Sequence, residues 1–442
     1  MEYIGKYQNK KIAIYGMGRT GFSAAQRLKK SKIEIFCWDD NKITRSKVRK
    51  LNFPISKFWK NKKKNLIDYI VLSPGIDINQ CKIKNYLKKN LKKIITDIDI
   101  FLELNKKSQI ISITGTNGKS TTCKILEKIM KEAGYNAYAL GNIGRPVLSL
   151  SFPRKKNVFI LETSSYQLQY SKTFRSKHAA ILNISSDHLE RHKSMKNYIK
   201  IKSKIFLAQK SSDYSYLNFY SKYSPIIEKI FKSKKIKSHL IKIKKNAVNH
   251  LLRKINNTYF KNDANIENLA FAYEIVKKFK VNDFVILKAL NHFKGLPHRQ
   301  EVIFSNKNFT FVNDSKATSF DSCIRCLSNY SKIYWIVGGQ PKYKDHFDLR
   351  NISNKIIKAY VIGKSPSFFI RQIKKKIPYK ISHNIKNAVE SIFNEIKNKD
   401  KNKITVLFSP GAASFDQFKN FEERGECFRK LVNKKLKKIF NV

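Results

Sequence analysis

Short runs of β-branched and other apolar residues alternate with helical patterns along most of the chain. The first run, Lys11–Tyr15, leads into a Gly-rich turn, a helical stretch that ends at Lys30 and a second apolar run that ends at Trp38. A strand, a Gly-rich turn and a helix in this order are typical of α/β domains with mostly parallel sheets. The pattern therefore predicts an α/β protein. Further strands of this kind are predicted at residues 69–72, 109–113, 158–161, 179–183, 309–313, 333–337, 359–362 and 404–408.

The predicted elements group into three domains. A chain of 442 residues has room for two to four domains at about 100 to 200 residues each. We predict an N-terminal Rossmann-like domain over residues 1–97, a central P-loop-type domain over 98–297 and a C-terminal Rossmann-like domain over 298–442. The Lys-rich segment 211–257 has a weak pattern and is interpreted only as more of the central domain.

The strongest chemical signal is a Gly-rich turn between a predicted strand and a predicted helix. Its residues are Gly115, Thr116, Asn117, Gly118, Lys119, Ser120 and Thr121. The free N–H groups and the dipole at such a helix N-terminus favour an anion. We expect Lys119 to reach the outer phosphates of a nucleotide and a hydroxyl of Ser120 or Thr121 to bind Mg²⁺. The turn departs from the common GxxxxGK[ST] loop, because Ile113 stands in place of the first Gly.

The net charge is the most unusual property of the composition. Lys and Arg number 90 against 32 Asp and Glu, which gives a formal net charge of +58 and suggests a nucleic-acid ligand. Only 15 of the 90 are Arg, however, and the basic runs are short and dispersed, whereas a nucleic-acid-binding face concentrates Arg or interleaves basic and aromatic residues. We interpret the charge as compositional drift on solvated surfaces and expect no nucleic-acid partner; a basic nucleic-acid-binding protein remains the alternative.

Neither membrane insertion nor a disulfide framework is predicted. No apolar run approaches the roughly 20 residues that span a bilayer, so we expect a cytoplasmic protein. The six cysteines are scattered, and the CxxC of Cys323 and Cys326 has no second pair or nearby His. Structural thiols are the main interpretation, with a metal or redox site as the alternative.

The spacing from Gly115 to Lys119 resembles the ATP loop of the Mur ligases and folylpolyglutamate synthases. The resemblance implies an enzyme that phosphorylates a substrate carboxylate with ATP and lets an amine displace phosphate from the acyl phosphate. It also implies that Glu162 and His188, each after a predicted strand, share a Mg²⁺ ion, and that Lys202 is carbamylated and binds a second Mg²⁺ ion. Without the family, Glu162 and His188 are strand-end polar residues and Lys202 a solvated lysine. His188 and His192 lack the Glu of HExxH, which excludes a zinc-protease site.

Two C-terminal segments look like those of the D-glutamate-adding members of the family. They are residues 313–318, Asn-Asp-Ser-Lys-Ala-Thr, and residues 409–421, which begin Ser-Pro-Gly-Ala-Ala-Ser. Cations and hydroxyls suit an incoming dicarboxylate. By the same resemblance Asp314 orients ATP or the amine, Arg299 meets the nucleotide phosphates and Asn265 contacts ATP. The implied D-glutamate ligands are Lys316, Thr318, Lys342, Ser414, Phe415 and Phe421.

The resemblance implies that the N-terminal turn of Gly16, Gly18 and Gly21 binds UDP. Its glycines would let the backbone approach a pyrophosphate, and Asp39 at the end of the next strand would meet ribose or uracil. A lone GxGxxG is also found in nicotinamide dehydrogenases, so a dehydrogenase remains the alternative interpretation of this motif. The implied partners are UDP-N-acetylmuramoyl-L-alanine, D-glutamate and ATP, and we expect a monomer. Further residues implied for the UDP substrate are Ser73, Pro74, Gly75, Asn142, Ser164 and His188.

Two positions depart from the family pattern. Ala264 precedes Asn265 where the family has His, and the turn Gly-Gly-Asp-Gly-Lys reads Gly-Gly-Gln-Pro-Lys at residues 338–342. Proline fixes φ where glycine is free, so the second change alters the turn. Because no phosphate, metal or D-glutamate ligand is lost, we expect an active enzyme with an altered KM. The alternative function within the same family is that of another Mur ligase, which adds a different amino acid.

Overall fold

The computed structural model describes residues 4–60, 66–149, 157–341, 346–397 and 403–440, with side chains to residue 437. The chain divides into two compact units, Met1–Phe293 and Lys294–Val442. The first unit contains two parallel sheets and the second contains one mixed sheet. In the described ranges, no helix combines the length and the apolar character needed to cross a bilayer.

The N-terminal sheet of the first unit has four parallel strands. They are β1 (Lys11–Tyr15), β2 (Glu34–Trp38), β3 (Tyr69–Leu72) and β4 (Ile94–Ile95), with α1 (Arg19–Lys30), α2 (Lys42–Lys50), α3 (Lys84–Lys89) and α4 (Asp97–Leu104). The strand order is β2-β1-β3-β4. Ile12 and Ile14 on one face of β1 and Ala13 and Tyr15 on the other are all fully buried, so both faces of this sheet are covered.

The second sheet of this unit has six parallel strands. They are β5 (Gln109–Thr114), β6 (Asn136–Gly141), β7 (Asn157–Glu162), β8 (His178–Ile181), β9 (Tyr214–Asn218) and β10 (His239–Ile243). The helices are α5 (Lys119–Glu132), α6 (Ser165–Tyr170), α7 (Leu189–His192), α8 (Met195–Ser203), α9 (Ser224–Ser233), α10 (Asn249–Leu252), α11 (Asp263–Lys277) and α12 (Asp283–Asn291). The order β10-β9-β8-β5-β7-β6 places β5 between β8 and β7. The carboxyl ends of these three strands therefore lie side by side.

The second unit has one six-stranded sheet. Its strands are β11 (Glu301–Ser305), β12 (Phe309–Asn313), β13 (Ile333–Gly338), β14 (Ile356–Ile362), β15 (Tyr379–His383) and β16 (Ile404–Phe408). Its helices are α13 (Phe320–Leu327), α14 (Pro366–Ile373), α15 (Ile385–Ile396) and α16 (Phe421–Phe440). The order is β11-β12-β16-β13-β14-β15, and only the β11–β12 pair is antiparallel among the described strands.

The predicted α/β class is confirmed, and most predicted strands lie where the sequence indicated. Strands β1, β3, β12 and β16 match their predicted bounds, β5 and β13 extend one residue further at their carboxyl ends, and β7 extends one residue further at each end. Strand β8 ends at Ile181 rather than at residue 183, and β14 begins three residues before the predicted start. The weakly patterned segment 211–257 holds β9 and β10, which extend the same sheet as β5. The three domain boundaries remain predictions.

Candidate functional site

The predicted phosphate loop connects β5 to the N-terminus of α5. Gly118 is the residue that precedes the helix, and its φ is +80°. A Cβ atom at this position would lie 2.2 Å from Oδ1 of Asn268, so both the backbone conformation and the space require glycine. The first N–H groups of α5 are thereby left facing the loop, as an anion site requires.

Asn183, two residues beyond the end of β8, holds the backbone of the phosphate loop through two hydrogen bonds. Its carbonyl oxygen accepts from Thr116 N at 3.0 Å, and its Oδ1 accepts from Asn117 N at 2.8 Å. Lys119 lies folded over the same turn, since its Nζ donates to the carbonyl oxygens of Gly115 and Thr116, each at 2.8 Å. The predicted phosphate-binding residues are therefore brought together in one compact turn.

Glu162 is the last residue of β7 and is buried beside this loop, with 2% of its surface exposed. Its Oε2 accepts a hydrogen bond from Ser120 Oγ, and its Oε1 accepts one from Asn142 Nδ2 at 2.8 Å. The carboxylate thus joins three predicted site residues from three different segments. A buried carboxylate beside a phosphate loop, with a hydroxyl bound to it, has the oxygen chemistry that Mg²⁺ prefers.

His188 stands just before α7 in a left-handed conformation with φ of +56°. Its Nδ1 lies 2.8 Å from Tyr166 Oη, and its Nε2 lies 3.3 Å from Asp187 Oδ2. Positive φ also occurs at turn residues such as Asn9 and Lys32, so it does not by itself mark His188 as functional. Within the described ranges, no three His, Cys, Asp or Glu side chains form a cluster that could hold a metal ion by themselves.

Lys202 on α8 is buried against the phosphate loop, with 2% of its surface exposed. Its Nζ donates to the carbonyl oxygen of Gly115 at 2.9 Å. Burial, followed by the nearby charge of Lys119, holds the pKa of the Lys202 amine well below its usual value. Its neighbours differ, because Lys200 is exposed and Lys204 Nζ donates to the carbonyl oxygens of Leu168 and Gln169. Carbamate formation needs an uncharged nitrogen, and the lowered pKa favours the uncharged form of the Lys202 amine.

The helix α11 supplies one predicted residue and one that the sequence reasoning missed. Asn265 Nδ2 donates to the carbonyl oxygen of Tyr259 at 2.8 Å, so its side chain braces the preceding turn. Asn268, one helical turn further on, accepts from Thr122 Oγ1 at 3.2 Å and lies directly under Gly118. The spacing of three residues after Asn265 could have indicated that both side chains point the same way.

The glycines of the N-terminal turn lie at the carboxyl end of β1. Gly16 has φ of +92°, and a Cβ on Gly21 would lie 1.9 Å from the carbonyl oxygen of Gly16. Ser73 Oγ, in the Ser73, Pro74 and Gly75 turn after β3, donates to the same oxygen at 2.6 Å. A Cβ on Gly18 would meet no atom within 4 Å, which leaves its backbone approachable.

Asp39 and Ser164 hold their own surroundings. The carboxylate of Asp39 accepts from Met17 N at 2.7 Å and from Asn41 N at 2.8 Å, so it shapes the glycine turn from the end of β2. Ser164 caps α6 in a reciprocal arrangement with Gln167. Both residues lie on strand-end loops, as predicted. Asp39 orders the glycine turn there, and Ser164 caps a helix.

In the second unit, Asp314 follows β12 and is buried. Its Oδ2 accepts from Ser409 Oγ at 2.9 Å and its Oδ1 accepts from Gln300 N at 3.1 Å. Burial raises the pKa of this carboxyl to about 6, opposed by the bond from Ser409. Arg299 lies between two residues in left-handed conformations, His298 with φ of +61° and Gln300 with φ of +46°. The backbone at Arg299 is thus fixed by an unusual turn.

The described D-glutamate candidates of this unit lie on loops at the carboxyl ends of β12 and β16 and at the start of α16. Lys316 Nζ stands 3.7 Å from the ring centroid of Phe421, a cation–π contact. Ser414 is buried, Thr318 is half-buried, and Phe415 exposes 71% of its surface. Lys342 lies outside the described residues.

Arg424 and the two CxxC thiols complete the surroundings of these loops. Arg424, which the sequence reasoning missed, is 1% exposed and bonds to Ser315 and to Ala412. Cys323 and Cys326 are free and buried, and Cys323 Sγ lies 3.0 Å from the carbonyl oxygen of Ser409. The thiols therefore pack the inside of the unit, as the structural interpretation expected.

Comparison with known proteins gives matches over nearly the whole chain. A model described as the Mur ligase middle domain matches residues 113–289, and one described as the MurD-like N-terminal domain of Mur ligases matches residues 10–95. The UDP-N-acetylmuramoylalanine–D-glutamate ligase of Rickettsia felis is 35% identical, over 99% of this chain and 100% of its own length. The ligase of the same name from the Wolbachia of Brugia malayi is 32% identical, over 98% of this chain and 97% of its own.

Solved structures share the fold at lower identity. MurC of Thermotoga maritima, a UDP-N-acetylmuramate–alanine ligase, is similar with a TM-score of 0.52 and 14% identity, over 96% of this chain and 100% of its own. MurF of Acinetobacter baumannii is similar with a TM-score of 0.55 and 15% identity, over 75% of this chain and 79% of its own. With the phosphate loop, Glu162 and Lys202 in one place and relatives matched from end to end, the chain belongs to the Mur ligase family.

Proposed function

We propose that this chain joins D-glutamate to UDP-N-acetylmuramoyl-L-alanine at the expense of ATP, a step in the synthesis of peptidoglycan precursors. The observation that carries the proposal is the end-to-end match to relatives named UDP-N-acetylmuramoylalanine–D-glutamate ligase, which are 30–35% identical over 96–99% of the chain. The loops of the second unit support the choice of amino acid.

The reaction needs an activated carboxylate, because a carboxylate anion does not react with an amine. One oxygen of the alanyl carboxylate attacks the γ-phosphorus of ATP, the bond to the β-phosphate oxygen breaks, and ADP leaves. The amine of D-glutamate, once deprotonated, attacks the acyl carbon, and inorganic phosphate leaves with the former carboxylate oxygen. One amide bond is formed for each ATP consumed, and the proton from the amine passes to solvent.

The turn at residues 115–118 would hold the phosphates of ATP. Its backbone is fixed by Asn183, so the N–H groups need little rearrangement when an anion arrives. Lys119 now donates to two carbonyl oxygens of the turn, and a γ-phosphate would exchange these neutral partners for a charged one. Lys119 would then stabilise the charge that develops as the phosphoryl group moves.

The residues present suit Mg²⁺. Ser120 and Glu162 offer a hydroxyl and a carboxylate in contact with each other, and His188 follows β8, which is separated from the Glu162 strand by β5. A magnesium ion, when bound, neutralises phosphate charge and draws electron density from the transferred phosphoryl group. Lys202 as a carbamate would add an anionic oxygen for a second ion. We propose two ions, held by Ser120, Glu162, His188 and carbamylated Lys202 with oxygens of the substrates.

The N-terminal glycine turn would take the UDP pyrophosphate. Open space at Gly18 and Gly75 lets a ligand approach the backbone, and Asp39 orders the turn for it. Asn142 reaches Glu162 from the end of β6, at the edge of the site where the muramoyl part and its alanyl carboxylate would meet ATP.

The C-terminal loops would take D-glutamate. Lys316 and Lys342 supply cations for its two carboxylates, Thr318 and Ser414 supply hydroxyls, and Phe415 and Phe421 form the wall. Arg299 and Asp314 would contact the nucleotide from this unit.

The test is phosphate release from ATP with UDP-N-acetylmuramoyl-L-alanine and a panel of D-glutamate, L-alanine, L-lysine and meso-diaminopimelate. We expect phosphate release when D-glutamate is the added amino acid and no release with the other three. Release with a different amino acid would assign another Mur ligase activity, and no release with any would reject the function. A Lys119→Ala variant should lose about 100-fold or more in rate. The matched Lys124→Ala variant, which removes a surface ion pair with Glu127 on the same helix, should keep the rate.

A further inference from the structure

Arg424 is the fourth residue of α16 and one of the largest fully buried side chains in the described part of the chain, with 1% of its surface exposed. Burial of a guanidinium is costly unless its donors are used. The first turn of a helix also disfavours a cation, because the positive end of the helix dipole lies there. Both effects disfavour an arginine at this position unless its hydrogen bonds compensate for them.

Two loops are joined by its donors. Arg424 Nε donates to Ser315 Oγ at 3.1 Å, and Nη2 donates to the carbonyl oxygens of Ser315 at 2.8 Å and Ala412 at 3.0 Å. Ser315 Oγ in turn donates to the carbonyl oxygen of Phe421 at 2.8 Å. The guanidinium thus ties the loop after β12, the loop after β16 and the start of α16 to one another.

The remaining nitrogen, Nη1, is buried and has no hydrogen-bond partner among the described residues. A Cβ on Gly339 would lie 3.1 Å from it, so Nη1 lies under the turn that follows β13. That turn is held to the loop after β16 by two backbone bonds, Gln340 N to the oxygen of Ala413 at 2.8 Å and Ala413 N to the oxygen of Gln340 at 3.0 Å. All three loops that meet around Arg424 follow neighbouring strands, since the sheet order is β12-β16-β13.

The side chain stays charged at neutral pH. Burial lowers the pKa of Arg424 to about 10, and the charges of Asp416 and Asp314 oppose that shift. A charged guanidinium donates stronger hydrogen bonds than a neutral donor, and its planar fork fixes the directions of several partners at once. A lysine in its place would offer one nitrogen and could not bond to all of these partners in the same geometry.

We infer that Arg424 is a positioning residue of the amino-acid site, which holds the loops bearing Lys316, Ser414 and Gln340 at the spacing that D-glutamate needs. This inference rests on the proposed function. Arg424 itself touches no substrate in this role. Without it the three loops would close on the dicarboxylate only at an added cost in free energy, and that cost would appear in the binding of the amino acid.

The experiment compares wild type with Arg424→Lys, Ser315→Ala and the double variant, using the KM for each of the three substrates. Arg325→Lys, a change at a surface ion pair with Asp321 in the same unit, is the control. We expect Arg424→Lys to raise the KM for D-glutamate roughly 10-fold or more, and to leave the KM for ATP and for the UDP substrate within about 2-fold. The KM for D-glutamate of the double variant should exceed that of the single variants by little, because both changes break the same contact between Arg424 and Ser315.

Hydrogen exchange of residues 339–341 and 412–416 gives a readout that needs no activity. Faster exchange there in Arg424→Lys, with the rest of the unit unchanged, supports the positioning role even if the wild type uses a different amino acid. Equal increases in all three KM values, or unchanged exchange in these loops together with an unchanged KM for D-glutamate, would overturn it. Absence of ligase activity in the wild type would reject the proposed function instead, and the exchange result would then show only whether Arg424 orders these loops.

Discussion

At the scale of single residues, the buried amine of Lys202 leads to a test of the carbamate. CO₂ adds to the unprotonated nitrogen, and the lowered pKa of Lys202 favours that form. We expect activity to fall in CO₂-depleted buffer and to return with bicarbonate. Lys202→Ala should be roughly 100-fold less active and should not respond to bicarbonate.

Lys200 provides the matched control, since it lies two residues away on α8 with its side chain exposed. Lys200→Ala should keep both the activity and the response to bicarbonate. With ¹³C-labelled CO₂, wild type and Lys200→Ala should show a carbamate carbon signal that Lys202→Ala lacks. Full activity of the wild type after CO₂ removal, with no such signal, would contradict the carbamate.

Sequence reasoning could name Lys202 but could not separate it from its neighbours in physical terms. Three lysines at positions 200, 202 and 204 have the same chemistry in a string of letters, and only the packing of α8 against the phosphate loop buries one of them at that loop. Asn268 and Arg424 were missed for a similar reason. Their importance lies in contacts with residues about 100 or more positions away, Thr122 and Ser315, which no local pattern contains.

At the scale of elements, His178 couples the stability of the second parallel sheet to pH. It begins β8, is 3% exposed, lies 2.9 Å from Tyr216 Oη through Nδ1, and stacks on Tyr214 of β9. Burial lowers its pKa to about 3, whereas an unfolded His titrates near 6.5. Its folded pKa is depressed, so its contribution to stability is complete above about pH 6.5 and is lost as pH falls toward 3.

The free energy of unfolding should therefore contain a loss of about 2 kcal/mol between pH 7 and pH 5 that is due to His178. Denaturant unfolding of wild type and His178→Gln at both pH values measures it, because glutamine keeps a hydrogen-bonding group and does not titrate. The variant should lose less stability than wild type over this range. His239→Gln, at an exposed position on β10, should follow the wild-type curve. Identical pH dependence in all three proteins would show that His178 is not the coupled group.

The elements that the sequence predicted well are those buried on both faces. Strands β7, β12, β13 and β16 are buried at every residue and read as continuous apolar runs between turn signals. Five of the missed strands, β4, β6, β10, β11 and β15, are the last strands of their sheets, and most residues of β10 and β15 are exposed or half-buried. The sixth, β9, is an inner strand that is mostly buried, and it was missed in the weakly patterned segment 211–257. A polar edge strand carries too little hydrophobic pattern to be distinguished from a loop.

At the scale of the whole molecule, few of the basic residues behind the net charge of +58 lie in the protein interior. In the described ranges only Arg27, Lys202 and Arg424 are buried basic residues, so the other described Lys and Arg side chains lie at or near the surface. Every proposed substrate is an anion, and a positive field would speed their encounter at low salt. The basic runs are short and dispersed along the sequence, which does not favour the selection of one polyanion.

We therefore expect weak, sequence-independent binding to random duplex DNA that disappears by about 0.2 M salt, because counterion release supplies all of its free energy. The value of kcat/KM should fall less than about 10-fold over the same range, since direct contacts rather than the field hold the substrates. A triple variant of the exposed residues Lys232, Lys234 and Lys237 to Gln should weaken DNA binding at low salt and leave kcat unchanged. Fluorescence anisotropy with labelled DNA and the phosphate-release assay measure the two quantities in the same buffers. Saturable DNA binding that survives at physiological salt, or inhibition of the ligase by DNA there, would show that the charge has been kept for a nucleic acid and would revive the alternative that the composition first suggested.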